Sequence, residues 1–333
     1  FNPSNKQIYD NTYCLELFNG PTLAFKDFGA RFMARCMEHF IASYDKKLNI
    51  LVATSGDTGS AVANGFYKVN GINVIILYPK GKVSAIQEKQ LTTLDENITA
   101  IEVDGSFDDC QNLVKKAFLD IKLNKTINLS SANSINIARL IPQSFYYIYS
   151  YMQLENKKIP TIFSVPSGNF GNITAGLMSK NMGLPINKFI ASTNINDVVP
   201  KYLETGKLLP QPSKKTISNA MDVGNPSNIE RIIDLFKNVP KIKENMLSWS
   251  FSEKETASLI LDINERYNYL LDPHSAIGLL GIYKYLQFNS NKSNNIFLGT
   301  AHPAKFCDVI EPIINKKIEL PNRLSKLLSK EKK

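Results

Sequence analysis

The feature that most constrains the fold is an alternation that runs through most of the 333 residues. Short apolar runs of strand length, at 48–53, 73–78, 98–103, 126–129, 161–165, 188–193 and 295–298, alternate with stretches of helical periodicity. The periodicity predicts helices over 58–69, 84–94, 107–121, 135–154, 171–182, 252–269, 274–286 and 304–314. Strands that are apolar throughout and separated by helices belong to mostly parallel sheets covered on both faces. An α/β fold of open, mostly parallel twisted sheets flanked by helices is expected, with ligands at the carboxyl ends of the strands. Residues 197–250 break the pattern, with Pro200, Pro210, Pro212 and Pro226 in a weakly periodic stretch.

Composition excludes several other classes. The length suggests two domains of roughly 150 residues each. The cysteines (Cys14, Cys36, Cys110 and Cys307) are widely spaced, with no CxxC pair. Neither a disulfide scaffold nor a metal site is indicated, and a cytoplasmic location is expected. No apolar run approaches the ~20 residues a membrane span needs, so no membrane partner is expected. The net charge of +9 raises the question of nucleic acid. Much of it sits at the end of the chain, where Lys316, Lys317, Arg323, Lys326, Lys330, Lys332 and Lys333 face only Glu319 and Glu331. A solvated basic tail at 316–333 explains this charge better than a nucleic-acid partner, since no basic stripe with interleaved aromatics occurs elsewhere. The chain opens at Phe1 without a methionine, and a leading segment is expected to be missing from it.

Several loops carry groups able to do chemistry. Ser167-Gly168-Asn169-Phe170-Gly171-Asn172 follows a strand and opens a helix, where free N–H groups and close backbone approach suit a phosphate. An ordinary βα turn would have the same placement. Thr54-Ser55-Gly56-Asp57-Thr58-Gly59 sits likewise; Asp57 or Thr58 could simply cap the helix. Lys26, between Phe25 and Asp27 at the start of a helix with apolar Phe28, Phe32, Met33, Cys36 and Phe40, is the sharpest single residue. The helix dipole and flanking aromatics disfavour its charge, as an imine-forming lysine requires; a snorkelling surface lysine is the bland alternative. In the 133–139 stretch, Asn136 and Arg139 share a helix face near Ser134 and can grip a phosphate or carboxylate, or merely cap a helix beside a surface arginine. His39 reads as structural, while His274 and His302 stand where helices begin. No histidine pair has metal-ligand spacing, and no GxSxG elbow is present.

Together, ELFNGPTLAFKDFGARFM (16–33), ATSGDTGSA (53–61), NSINIARL (133–140), VPSGNFGNITAG (165–176), MDVGNPSN (221–228) and GTAHPAKF (299–306) resemble the threonine synthases. These are pyridoxal-phosphate (PLP) enzymes of the tryptophan-synthase-β class, fold type II. The motifs occur in family order over nearly the whole chain. ATSGDTG with NSIN distinguishes this family from the related dehydratases and cysteine synthases.

The resemblance implies that Lys26 is the catalytic lysine bound to the PLP aldehyde. It implies that Gly168, Asn169, Phe170, Gly171 and Asn172 cradle the cofactor phosphate, that Thr300 bonds the ring nitrogen, and that Asp57 lies near the ring oxygen. Ser55, Thr58 and Gly59 would receive the substrate carboxylate, and Ser134, Asn136, Arg139 and Lys305 the substrate phosphate. The implied partner is the small molecule O-phospho-L-homoserine, converted with water to L-threonine and phosphate by γ-elimination and β-addition, a carbon–oxygen lyase reaction. The implied architecture has a smaller domain at 24–157, a larger phosphate-binding domain from 1–23 and 158–315, and the cofactor in the cleft between them. The rival readings are another lyase of the class, such as a threonine dehydratase or cysteine synthase, and a catalytically silent phospho-amino-acid-binding homologue. Monomer and homodimer are both compatible with the sequence.

Overall fold

The structure is a computed structural model, described over residues 2–41 and 47–332. In chain order it contains β1 (Ser4–Tyr9), β2 (Thr12–Glu16), α1 (Lys26–Ile41), β3 (Leu48–Ala53), α2 (Asp57–Phe66), β4 (Ile72–Pro79), α3 (Ala85–Thr92) and β5 (Ile98–Val103). Then come α4 (Phe107–Leu119), α5 (Ile121–Thr126), β6 (Asn128–Ser131), α6 (Ile137–Leu140), α7 (Gln143–Met152), β7 (Thr161–Pro166), α8 (Gly171–Asn181) and β8 (Lys188–Thr193). The rest is α9 (Val198–Thr205), α10 (Ile229–Phe236), α11 (Val239–Asn245), β9 (Met246–Ser250), α12 (Glu253–Tyr267), α13 (Pro273–Phe288), β10 (Asn294–Gly299), α14 (Cys307–Ile314) and α15 (Asn322–Leu328).

The chain forms two compact units, each an α/β sandwich around a mostly parallel sheet, as the alternation predicts. One joins Gly20–Arg139 to the segment from Glu319 onward. Its sheet runs β5-β4-β3-β6, all parallel. Alternate strand residues point to opposite faces. Ile50, Val52, Val74 and Ile76 pack on α1 and α2 through Ala30, Met33, Ala61, Val62 and Phe66. Leu51 and Ala53 turn to Cys110 and Val114 of α4. Helices α1 and α2 approach closely where Gly65 meets the Ala30 backbone; a Cβ there would lie 3.2 Å from the Ala30 carbonyl carbon.

The other unit joins the start of the chain, through Asn19, to Leu140–Ile318. Its sheet runs β1-β2-β10-β7-β8-β9, and only the β1–β2 pairing is antiparallel. Cys14, Ile162, Ile190 and Phe297 pack against α12 and α13 through Ile260, Ile263, Leu279 and Ile282. Gly281 lets α13 settle over the Ser164–Ser192 hydroxyl pair, where a Cβ would stand 2.0 Å from the Ser192 hydroxyl. Elsewhere in this unit, Tyr147, Phe163 and Phe189 form a ring cluster.

Several expectations need correction. The predicted 135–154 helix is two helices, α6 and α7, because Pro142 has no N–H to continue the first. Asp120 accepts from Lys122 N and Leu123 N and starts α5, which runs through Thr126 and delays the next strand to β6. The region 197–250, expected to be irregular, holds three helices and β9. The 304–314 helix begins as a 3-10 turn over Pro303–Phe306. On α1 the buried face is Gly29, Ala30, Met33 and Ala34, while Phe32 and Phe40 are exposed. His39 is exposed in the last turn of α1, edge-on to Phe40.

The basic tail is not wholly solvated. Its α15 lies against α3, Leu324 is buried, Arg323 Nη1 donates to the Gly20 carbonyl at 3.2 Å, and Lys332 pairs with Glu88 at 2.6 Å. Lys333 lies outside the described residues. The boundary expected after residue 157 falls instead after Arg139. Among the described residues no helix is long and apolar enough to cross a membrane, and no cluster of three or more His, Cys, Asp or Glu could hold a metal ion.

Candidate active site

In the β3–β6 unit, Lys26 is the first residue of α1. Its ammonium lies over the Phe25 ring, 5.4 Å from the centroid, and 4.0 Å from the Asp57 carboxylate. The flanking aromatic was expected; the counter-ion was not. Asp57 is buried at the start of α2, and Gln87 Nε2 donates to its Oδ1 at 2.9 Å. Gln87 is itself fixed by a capping box in which Ser84 N donates to its Oε1 and its own N–H donates to Ser84 Oγ, both at 3.2 Å. The next residue, Asp27, is fully buried and accepts from Thr22 N at 2.9 Å and Thr22 Oγ1 at 2.7 Å.

The Ser55–Gly59 loop is built by the residue that precedes it. Thr54 Oγ1 accepts from Gly56 N at 3.0 Å and Gly59 N at 2.8 Å. Gly56 is the N-cap of α2 at φ +138°, a conformation L side chains rarely adopt, and a Cβ there would strike Gln87 at 2.5 Å. Neither Asp57 nor Thr58 caps the helix; the N-cap Gly56 has no side chain, and Thr54 Oγ1 serves the N–H of Gly59 in its place. Ser55 and Thr58 remain half-buried at this start.

The stretch around 131–139 is tied to the same sheet edge. The Asn133 side chain pairs with Ala53 like a peptide, accepting from its N–H at 3.2 Å and donating to its carbonyl at 2.7 Å. Asn136 donates to the Ser131 carbonyl at 2.9 Å and accepts from Ala138 N at 3.0 Å, so its side chain shapes the loop. Arg139 is no surface residue. It is buried, bonds the Ala132 carbonyl and packs on Gly29 of α1. Burial lowers its pKa to about 10 against the opposing pull of Asp27. Ser134 is half-buried nearby in sequence.

In the six-stranded unit, the Ser167–Asn172 loop leaves β7 and opens α8. Phe170 takes the left-handed conformation (φ +60°) as N-cap, with no side chain capping the helix. Gly168 touches backbone: a Cβ would fall 2.6 Å from Met221 Cα and 2.9 Å from the Ala220 oxygen. Asn169 is engaged with the 226–228 segment; its Oδ1 accepts from Ser227 N at 2.6 Å, and its carbonyl accepts from Asn228 Nδ2 at 3.0 Å. Asn172 is buried, and its Nδ2 has no hydrogen-bond partner within the protein. An uncapped helix start and an unpartnered buried donor, on a backbone with no room for a side chain at Gly168, fit a phosphate.

Thr300 follows β10, and its N–H donates to Ser275 Oγ at 3.3 Å. Ser275 in turn bonds Asp272, which also accepts from His274 N at 2.9 Å and lies 2.8 Å from His274 Nδ1. His274 Nε2 accepts from Ala220 N at 3.2 Å, which fixes the proton on Nδ1. This buried network links Thr300 to the Asn219–Met221 turn against which Gly168 packs. His302 Nδ1 caps the Pro303–Phe306 turn, accepting from Ala304 N at 3.1 Å; burial lowers its pKa. Lys305 is fully buried in that turn. Sequence reasoning missed Gln87, Asp272 and Ser275, and gave Thr54 and Asn133 no role within the motifs that contain them. Gln87 carried a signal in the S-x-x-Q capping box, and Asp272 in the helix start Asp-Pro.

Comparison with known proteins agrees with this chemistry. Residues 5–298 match the family model described as pyridoxal-phosphate dependent enzyme, and residues 275–333 match threonine synthase, C-terminal. The threonine synthase of Buchnera aphidicola is 48% identical over 324 residues, covering 97% of this chain and 74% of the relative. The crystal structure of threonine synthase from Escherichia coli superposes with a TM-score of 0.91 at 43% identity, covering 100% of this chain and 76% of that one. The PLP-bound threonine synthase of Brucella melitensis gives 0.93 at 35%, covering 99% and 76%. A helix start without a side-chain cap, a lysine beside a buried carboxylate and 48% identity over 97% of the chain thus converge: the chain belongs to the threonine synthases, within the pyridoxal-phosphate-dependent enzymes of fold type II.

Proposed function

We propose that the chain converts O-phospho-L-homoserine and water to L-threonine and phosphate, with the Ser167–Asn172 loop as the cup for the cofactor phosphate. The observation that carries this reading is the uncapped start of α8 with the buried, unpartnered amide nitrogen of Asn172. Gly168, Asn169, Phe170 and Gly171 supply backbone to the cup, Thr300 holds the ring nitrogen, and Asp57 lies toward the ring oxygen. Bound PLP supplies an electron sink for a carbanion at the substrate Cα.

The chain's own groups do the proton work. Lys26 would hold the cofactor, and its Nζ is the base for the Cα proton. A flexible amine reaches neighbouring carbons on one face, so Nζ, once it has passed on the first proton, would also take the Cβ proton as phosphate leaves Cγ; protons return to Cγ and Cα, water adds its hydroxyl at Cβ, and water's remaining proton leaves with the phosphate. Asp57, fixed by Gln87, stabilises the ammonium that results. Ser55, Thr58 and Gly59 at the start of α2 receive the substrate carboxylate. Ser134, Arg139 and Lys305 supply charge and donors for the substrate phosphate, and Asn136 shapes the loop that carries Ser134.

The test is release of phosphate and threonine from O-phospho-L-homoserine by the PLP-loaded chain, beside turnover of serine and threonine. Lys26→Ala is expected to lower the rate by at least about 10³-fold. A near-native rate in that variant, or preferential turnover of serine, overturns the assignment.

A further inference from the structure

We infer that Tyr146 and Tyr147 are positioning residues for the phosphate end of the cofactor, holding the side-chain carbonyl of Asn172 so that its NH2 group serves the cup. Both hydroxyls converge on one atom: Tyr146 Oη lies 2.5 Å and Tyr147 Oη 2.6 Å from Asn172 Oδ1. Tyr147 Oη also lies 3.1 Å from the Asn172 backbone carbonyl, and Tyr146 reaches Gln143 Oε1 at 3.3 Å. Both phenols are buried, and burial pushes their pKa values well up, so they stay protonated donors. An amide whose oxygen is fixed on one side must present its nitrogen on the other. Nδ2 of Asn172 is buried and has no partner, a costly arrangement for a polar group unless a ligand supplies the acceptor.

The tyrosines are suited to the task because their rings are packed into the core. Tyr147 packs edge-on to Phe163 at 5.2 Å and to Phe189 at 5.6 Å, and its ring lies 5.0 Å from that of Tyr146. Gly176, one turn along α8, closes on the same rings; a Cβ there would lie 2.9 Å from Tyr147 Cζ. With rings locked in the core and hydroxyls on Asn172, α7 sets the amide of a loop residue it does not adjoin in sequence. The reverse orientation, amide nitrogen toward the phenols, would present a carbonyl oxygen to an anion and repel it.

This inference rests on the phosphate-cup reading, and the experiment separates the two. Tyr146→Phe, Tyr147→Phe and their combination are titrated, as cofactor-free chain, with PLP and with pyridoxal, which lacks the phosphate. Loss of the orienting bonds is expected to weaken PLP about tenfold while leaving pyridoxal within about twofold. Adding Asn172→Ala to the double variant is expected to cost nothing further, since both changes remove one interaction. Equal weakening of PLP and pyridoxal means general damage to the core and overturns the positioning role. So does an unchanged PLP-to-pyridoxal ratio. If the double variant does not fold, the single variants read the same ratio. If the wild-type chain itself fails to prefer PLP, the cup reading falls, and this inference with it.

Discussion

Gly168→Ala adds one methyl group where the β7–α8 loop touches the Asn219–Met221 turn. The new Cβ would sit 2.6 Å from Met221 Cα and 2.9 Å from the Ala220 oxygen, against ordinary contact at 3.4 Å or more. Loop or turn must yield by about 0.8 Å, and both obstructing atoms are backbone. The turn is poorly able to yield. Ala220 N donates to His274 Nε2 at 3.2 Å, Met221 N to the Ser218 carbonyl at 2.9 Å, and Asp222 takes Thr216 Oγ1 at 2.7 Å and Asn194 Nδ2 at 2.9 Å. The Met221 side chain is buried against Phe251 and Ile277. Overpacking of this kind costs about 1–3 kcal/mol. At about 2 kcal/mol, the melting temperature of the cofactor-free chain falls by roughly 3 °C. If the loop gives way instead, the same energy appears as a PLP dissociation constant raised about 30-fold. Gly278→Ala is the reference: its Cβ would meet Pro166 Cδ at 3.3 Å and Phe297 Cβ at 3.6 Å, and a mid-helix alanine recovers up to about 1 kcal/mol. A Gly168→Ala chain that melts with wild type and binds PLP as tightly refutes the reasoning.

Three further outcomes follow from the same geometry. Gln87→Ala removes the donor to Asp57 and is expected to lower kcat about tenfold in phosphate release, and the isosteric Gln87→Glu, which sets a carboxylate against Asp57, more so; a fully active Glu variant would exclude this support of Asp57. Burial holds the pKa of His302 below its ordinary 6.5, so the unfolded chain binds its proton more readily. The stability this contributes is present above about pH 6.5 and is lost as pH falls from there toward the folded pKa; His302→Asn, which keeps an acceptor for Ala304 N, should flatten the melting profile between pH 8 and 5, whereas parallel profiles count against it. Leu324→Ala, in the segment read as a solvated tail, should destabilise the chain by about 2–5 kcal/mol in denaturant melts, and a change below about 0.5 kcal/mol would return the tail to solvent.

The elements that sequence reasoning recovered are those with a strong local pattern. Strands β3 and β8 match the expected 48–53 and 188–193 because most of each is continuously buried, and β5 matches 98–103 as a β-branched run although only Ile98 in it is buried. The capping box Ser252-x-x-Glu255 marked the start of α12 for the same local reason. The misses come from tertiary context. Strand β1 has polar, half-exposed residues and is held by pairing with β2, which no local pattern announces. The tail became a helix because one leucine, Leu324, finds a buried place, and five surplus charges conceal that in composition.

The candidate site was legible as motifs and illegible as machinery. A loop such as Ser167–Asn172 declares itself, because glycines between a strand and a helix have few other uses. What aims the loop is invisible, because the partners are far apart in the chain: Tyr147 and Asn172 are 25 residues apart, His274 and Ala220 54, Gln87 and Asp57 30. Each partner is an ordinary core or helix residue by its own neighbours. The burial of Arg139, which the sequence also allowed to be a surface residue, has the same origin. Gly29 opens a gap in α1 that the guanidinium enters, and Asp27 is buried close enough to offset part of its desolvation. In the proposed site, a buried arginine so placed would act on a bound anion through its field and through the rigidity of the Ala132 loop it holds. Arg139→Lys, which keeps the charge but not the planar fork, is therefore expected to weaken that loop more than it weakens the field.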